Sequence, residues 1–169
     1  MSPIPLAPIV ARLEAVLAAE ERLYVELRDA LQRERDCMVM LDAEGLEAVV
    51  AAKEALADEA ALLEETRRAV ADELAAALGL AAAPTLSALC ERLGRVGAAL
   101  RERHSRLVAL LAAVGELVDA NAGFARESLA HVRETLASLG RLLPCEPVYT
   151  PAGARAAAGG PGRLVERVA

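Results

Sequence analysis

LEAVVAAKEALADEAALLEETRRAVADEL (Leu46–Leu74) returns to one helical stripe every three or four residues: Leu46, Val49, Lys53, Leu56, Ala60, Leu63, Arg67, Val70 and Leu74. Alternating threes and fours is the heptad pattern of packed helices. Lys53 and Arg67 are wrong for an apolar seam. Upstream, the stripe Ile9, Leu13, Leu17, Tyr24, Leu27, Leu31 and Met38 has two faults of its own, Glu20 and Glu34. In an antiparallel hairpin, facing residues have position numbers with a constant sum. Glu34 with Lys53 and Glu20 with Arg67 both sum to 87, and so do Leu13 with Leu74, Leu17 with Val70, Tyr24 with Leu63, Leu31 with Leu56 and Met38 with Val49. This register puts the turn centre between Ala43 and Glu44, inside LDAEG (Leu41–Gly45), where Asp42 is suited to cap the second helix. The two charge pairs read as register-setting, since a polar residue in a seam excludes other alignments at some cost in stability. Acid/base catalysis by Glu20 or Glu34 would need a nucleophile, an oxyanion donor or a cofactor motif beside them, and the sequence offers none.

Working outward, the spacing predicts helices over about 6–40, 42–79 and 86–143. Gly79 ends the second, Pro84 and Thr85 start the third, and Pro144 ends it. The expected fold is all-α: an antiparallel helical hairpin plus a long third helix, a three-helix coiled-coil bundle over 1–143. Composition agrees. Hydrophobic residues make up 55% of the chain but aromatics only 2%, so the apolar content is chiefly Ala and Leu, which suits close-packed helices and gives a sheet little. From Pro144 the chain changes character. CEPVYTPAGARAAAGGPGRLVERVA holds prolines, a Gly-Gly-Pro-Gly run and small residues, too little apolar surface to order a backbone, and 144–169 is expected to be a disordered tail.

The third helix outruns its partners. The second helix can lie beside it only from Leu86 to about Asn121, which leaves some twenty residues, about 30 Å at 1.5 Å per residue. In ELVDANAGFARESLAHV (Glu116–Val132), Asn121 and the only phenylalanine, Phe124, fall where the three-helix contact should end. Beyond it the apolar stripe slips in phase and resumes as Leu129, Val132, Leu136, Leu139 and Leu143. An exposed apolar stripe usually marks an interaction surface. Self-association through it as a homodimer, a purely structural coiled-coil role, is the alternative, and a kink at Gly123 that folds the segment back is another.

Several functions are excluded. A net charge of −6 argues against nucleic acid, and RERHSR (Arg101–Arg106) alternates sign as a solvated helix face does. Few aromatics argue against a deep pocket for a bulky ligand. No phosphate loop or dinucleotide motif occurs. Glu102 with His104 and Glu127 with His131 miss the ExxH spacing of a dimetal bundle, so no metal or cofactor is expected and His104 and His131 read as surface or flank residues. Cys37, Cys90 and Cys145 lack CxxC spacing and read as free thiols in a reducing compartment. The N-terminus is a poor signal peptide. The most apolar run, Leu107–Val118, is too short for a bilayer and is interrupted by Glu116, so a cytoplasmic protein without stable membrane insertion is expected.

These features in this order resemble the FlgN family of flagellar type III export chaperones. The likeness rests on Glu34, Asp42, Leu46, Lys53 and Arg67–Arg68, then Asn121, Gly123 and Phe124, then Tyr149 and Gly153 in EPVYTPAG. The family often carries two asparagines spaced by three, and the first falls on Val118 here. The resemblance implies a chaperone, not an enzyme, that binds the C-terminal segments of hook–filament junction proteins and delivers them to the export gate. It implies cargo contact along Asn121, Phe124, Leu129, Val132, Leu136, Leu139 and Leu143, and contact of Tyr149 and Gly153 with the gate's cytoplasmic domain.

Overall fold

The computed structural model describes residues 6–80 and 84–142. These form four helices and no strand: α1 (Leu6–Met40), α2 (Ala43–Leu78), α3 (Leu86–Leu93) and α4 (Ala98–Leu142). The proposed tail, 144–169, and Leu143 lie outside the described residues.

Between α1 and α2 the chain reverses in two residues. Asp42 is extended, and its carboxylate accepts the Gly45 N–H at 3.0 Å, filling one of the donors that a helix start leaves open. The Asp42 N–H donates to Cys37 O at 2.9 Å and the Leu41 N–H to Met38 O at 3.4 Å, the paired closure of a Schellman motif. That closure needs a left-handed residue, and Leu41 takes it with φ of 56°. The reversal therefore falls at Leu41–Asp42, two residues before the centre implied by the constant-sum register. Closing the turn around the Asp42 cap uses the fewest residues, and the long Lys and Arg stems absorb the offset. Lys53 Nζ is bonded to Glu34 Oε1, and Arg67 Nε donates to Glu20 Oε1 at 3.0 Å. Arg67 also grips Glu64 one turn back.

At the far end of α2 the same motif recurs with Gly79 at φ 69°, its N–H on Ala76 O and the Leu80 N–H on Ala75 O. Thr85 then caps α3 by accepting the Ala88 N–H at 3.2 Å. The single third helix expected over 86–143 is divided. GRVG (Gly94–Gly97) interrupts it as a turn. Two glycines within four residues remove the helical preference. Gly94 adopts a positive φ of 58°. At Gly97 a Cβ would lie 2.9 Å from Leu93 Cβ and 3.1 Å from Cys90 O, so a side chain would push α3 and α4 apart. Arg101 closes the break by donating to Cys90 O at 3.1 Å. α4 then runs unbroken through Gly123.

The core lies at the open end of the hairpin. Ile9, Val10, Leu13 and Leu17 of α1 meet Val70, Ala71, Leu74 and Ala75 of α2, with Leu89 and Cys90 of α3 and Leu100 and Leu107 of α4. Burial raises the Cys90 thiol above its ordinary value, which keeps it protonated and inert. Toward the turn the stripe positions Leu56 and Leu63 are only half-buried, and Met40 and Leu41 are exposed. The chain divides into two units, the first ending at Ala125 and the second beginning at Arg126.

The two Schellman turns make a matched test. Leu41→Gly should raise stability by about 1 kcal/mol by removing left-handed strain, less the added freedom of glycine when unfolded. Gly79→Ala should lower it by about 1 kcal/mol. Urea unfolding of both variants reads the two signs; a loss of stability in Leu41→Gly would refute the strain at that turn.

Candidate partner-binding face of α4

Within the first unit three side chains of α4, Arg103, Arg106 and Asn121, fasten it to α1 by hydrogen bonds. Arg103 donates to Glu21 Oε2 at 2.7 Å and Arg106 to Glu21 Oε1 at 3.0 Å. RERHSR is thus not simply a solvated face, because two of its arginines share one carboxylate on another helix. Glu21 itself carries no heptad signal and was not singled out by the sequence. Further along, Asn121 is buried, and its amide donates to Leu31 O at 2.8 Å and to Glu34 Oε2 at 2.9 Å. Glu34 gives its other oxygen to Lys53, so one carboxylate is bonded to both α2 and α4. Phe124, half-buried, lies with its ring under the Arg35 guanidinium, 3.9 Å from ring centroid to Cζ. Asn121 and Phe124 therefore face α1 in the first unit.

α4 carries two apolar stripes. The first holds Leu100, Leu107 and Val114, all buried, then Leu117, Asn121 and Phe124. On its spacing the next residues are Ser128, His131, Thr135 and Ser138, so the stripe turns polar. The second lies one residue further round. In the first unit it shows Val108, Leu111 and Val118, all exposed. In the second unit the same spacing reaches Leu129, Val132, Leu136 and Leu139, between 47% and 62% exposed. The slip in phase expected beyond Asn121 is thus a change of stripe, since the second is already present at Val108. Of the side chains from Arg126 to Arg141, Ser138 alone is half-buried and the others are exposed.

Among the described residues, Glu20 and Tyr24 of α1, Glu64 and Arg67 of α2 and His104 of α4 line one groove. Burial pushes the Glu20 carboxyl above its ordinary value of 4.5, against the pull of Arg67. Burial and the nearby Glu20 carboxylate raise Tyr24, whereas the Arg67 hydrogen bond lowers Glu64. This is an ion-paired seam, Arg67 lying between the Glu20 and Glu64 carboxylates. Among the described residues no three metal-ligating side chains come together. His104 is half-buried beside that groove, His131 is exposed, and Cys37 and Cys90 are free.

α4 also contains an eighteen-residue window of mean hydropathy 1.6, long and apolar enough to cross a membrane by length and composition alone. The window is longer than the Leu107–Val118 run suggested. Its ties to Glu21, Leu31 and Glu34 are those of a helix packed against protein.

A family model described as FlgN protein matches residues 1–157. The chain belongs to the FlgN family. FlgN proteins are flagellar export chaperones, and that general role, in a family not known for enzymes, is what the membership supports. The chain matches no curated protein and no solved structure. Of the residues to which the resemblance assigned contacts, Leu129, Val132, Leu136 and Leu139 are brought together on one exposed face of this FlgN chain. Leu143, Tyr149 and Gly153 lie outside the described residues.

A carboxyl raised by folding stabilises the native state most below its unfolded value, and that contribution is lost as pH climbs from 4.5 through the raised value. Glu20→Gln should therefore gain stability relative to the native chain as pH rises through that window. Urea unfolding of both proteins across it reads the difference, and a constant gap would refute the raised value. Asn121→Ala removes a donor from the buried Leu31 carbonyl and another from the partly buried Glu34 carboxylate, and should cost about 1–3 kcal/mol by the same assay.

Proposed function

We propose that this FlgN protein is a cytoplasmic export chaperone that binds the C-terminal segments of flagellar hook–filament junction proteins through α4. It keeps them from associating early and delivers them to the type III export gate. The observation that carries the reading is the row Leu129, Val132, Leu136 and Leu139, left exposed at helical spacing in a chain of this family. A cargo helix laid along that row completes a seam, the helix-in-groove mode of peptide recognition. Covering roughly 400–600 Å² of apolar surface at about 25 cal/mol per Å² is worth on the order of 10 kcal/mol gross. Association and ordering costs remove much of it, which suits a cargo that must be released. Asn121 and Phe124 hold α4 to α1 within the first unit. The tail beyond Pro144, through Tyr149 and Gly153, makes the contact with the cytoplasmic domain of the gate.

Calorimetric titration of the full chain with the isolated C-terminal segment of a junction protein from the same organism tests this. One-to-one binding is expected, abolished by Val132→Asp while far-ultraviolet dichroism stays unchanged. Undiminished binding by that variant refutes the assigned face. No binding, with stable dimers in light scattering that Val132→Asp dissociates, supports a self-associating structural module instead.

A further inference from the structure

Taken alone, residues 126–142 of α4 form a heptad segment with an uneven distribution of charge. Leu129 and Leu136 occupy one seam position, Val132 and Leu139 the other. Along one flank of that seam stand Arg126 and Arg133, seven residues apart, followed by Gly140. Along the other stand Ser128 and Thr135, with the Thr135 hydroxyl turned back onto His131 O at 2.9 Å. The acids, Glu127 and Glu134, lie on the side of the helix away from the seam. All six of these charged or hydroxyl side chains are exposed. The surface is therefore an apolar strip with one cationic border and one uncharged border.

Flanking charges decide which helices pair and in which direction. In an antiparallel pair of identical helices the same flanks face one another, so Arg126 and Arg133 would oppose the arginines of the second copy. In a parallel pair they would oppose Ser128 and Thr135 and gain no attraction. A second copy thus obtains nothing from this border in either direction. A helix with its own heptad row of apolar residues, bordered by Glu or Asp seven residues apart, obtains two opposite-charge pairs and a preferred orientation.

We propose that Arg126 and Arg133 are specificity-determining residues, and that the occupant of the Leu129–Leu139 row is an amphipathic helix of another protein with an acidic border. The proposal rests on the reading that this row binds cargo, and adds the chemistry by which cargo is chosen. Complementary charge at a rim sets orientation and partner choice more than raw affinity. The chain's net charge of −6 works against any acidic partner, so a preference for one must come from a local arrangement.

Two synthetic helices three heptads long, with leucine at both seam positions, serve as probes. One carries glutamate at its flanks and the other lysine. Each is titrated by fluorescence anisotropy into the full chain, into the double variant Arg126→Glu, Arg133→Glu, and into Arg141→Glu, which reverses a charge away from the seam. The native chain should bind the glutamate helix about three- to thirty-fold more tightly, as two exposed charge pairs allow. The preference should shrink with added salt and invert in the double variant, and Arg141→Glu should keep the native preference. Equal binding of both helices by the native chain overturns the proposal, as does a preference that the double variant leaves unchanged. Val132→Asp separates the two levels. If it abolishes binding of both helices while the charge reversal changes nothing, the row stands and only the charge selection fails. If it changes neither, or if neither helix binds the native chain, the cargo face fails as well.

Discussion

The Glu34 carboxylate holds α2 by one oxygen and α4 by the other, through Lys53 and Asn121. A partly buried carboxylate is costly unless its acceptors are filled, and one with both oxygens committed tolerates little displacement of either helix. Sliding α2 by a turn would strand Lys53, and sliding α4 would leave the Asn121 amide in an apolar seam without partners. Leu and Ala pack almost as well in a neighbouring register, so apolar contacts alone leave alignment loosely specified. The polar contacts supply that specification. Glu20 and Arg67 repeat the device two heptads away, and Glu21 does so for α4 through Arg103 and Arg106.

Apolar burial is concentrated elsewhere. The fully buried leucines Leu13, Leu17, Leu74, Leu89 and Leu100 gather at the open end of the hairpin, where α3 closes it. From there to the turn the seam becomes leaner and more polar. The first unit thus has a packed end that supplies stability and a pinned end that supplies alignment. Past Phe124 the stripe that served α1 and α2 is polar, and in the second unit the apolar side chains occupy the other stripe. On the proposed reading, a partner laid along that row covers exposed side chains of the second unit.

Much of this was legible from residue spacing. The four charged faults in two leucine stripes point to one another, because a charge in a seam has to find its opposite. Asp42, Gly79 and Thr85 announce helix ends through the hydrogen bonds or dihedral angles that only such residues satisfy cheaply. The division at Gly94–Gly97 is invisible to periodicity, because Leu86, Cys90, Leu93, Leu100 and Leu107 keep one helical spacing across it. The signal was the glycine pair, whose meaning depends on how closely α3 and α4 approach. Asn121 is a different case. A polar residue at the end of a seam is tolerable, but this one is buried and bonded to two acceptors. Leu41 gave no warning, since left-handed leucine is a cost that sequence rules would assign to glycine.

The sequence by itself determined the helical class, the ends of α1 and α2, the charge pairs that set their register, and the residues that carry the family likeness. These follow from local preference and from pattern, both of which are properties of neighbours along the chain. Tertiary structure alone decided that RERHSR would fasten to Glu21, that Arg35 would cover Phe124, and that the apolar residues of α4 would divide into a buried stripe and an exposed one. Those outcomes depend on which side of a long helix meets its partners. A rotation of one residue, about 100°, separates the two stripes, and only packing against α1 and α2 selects between them.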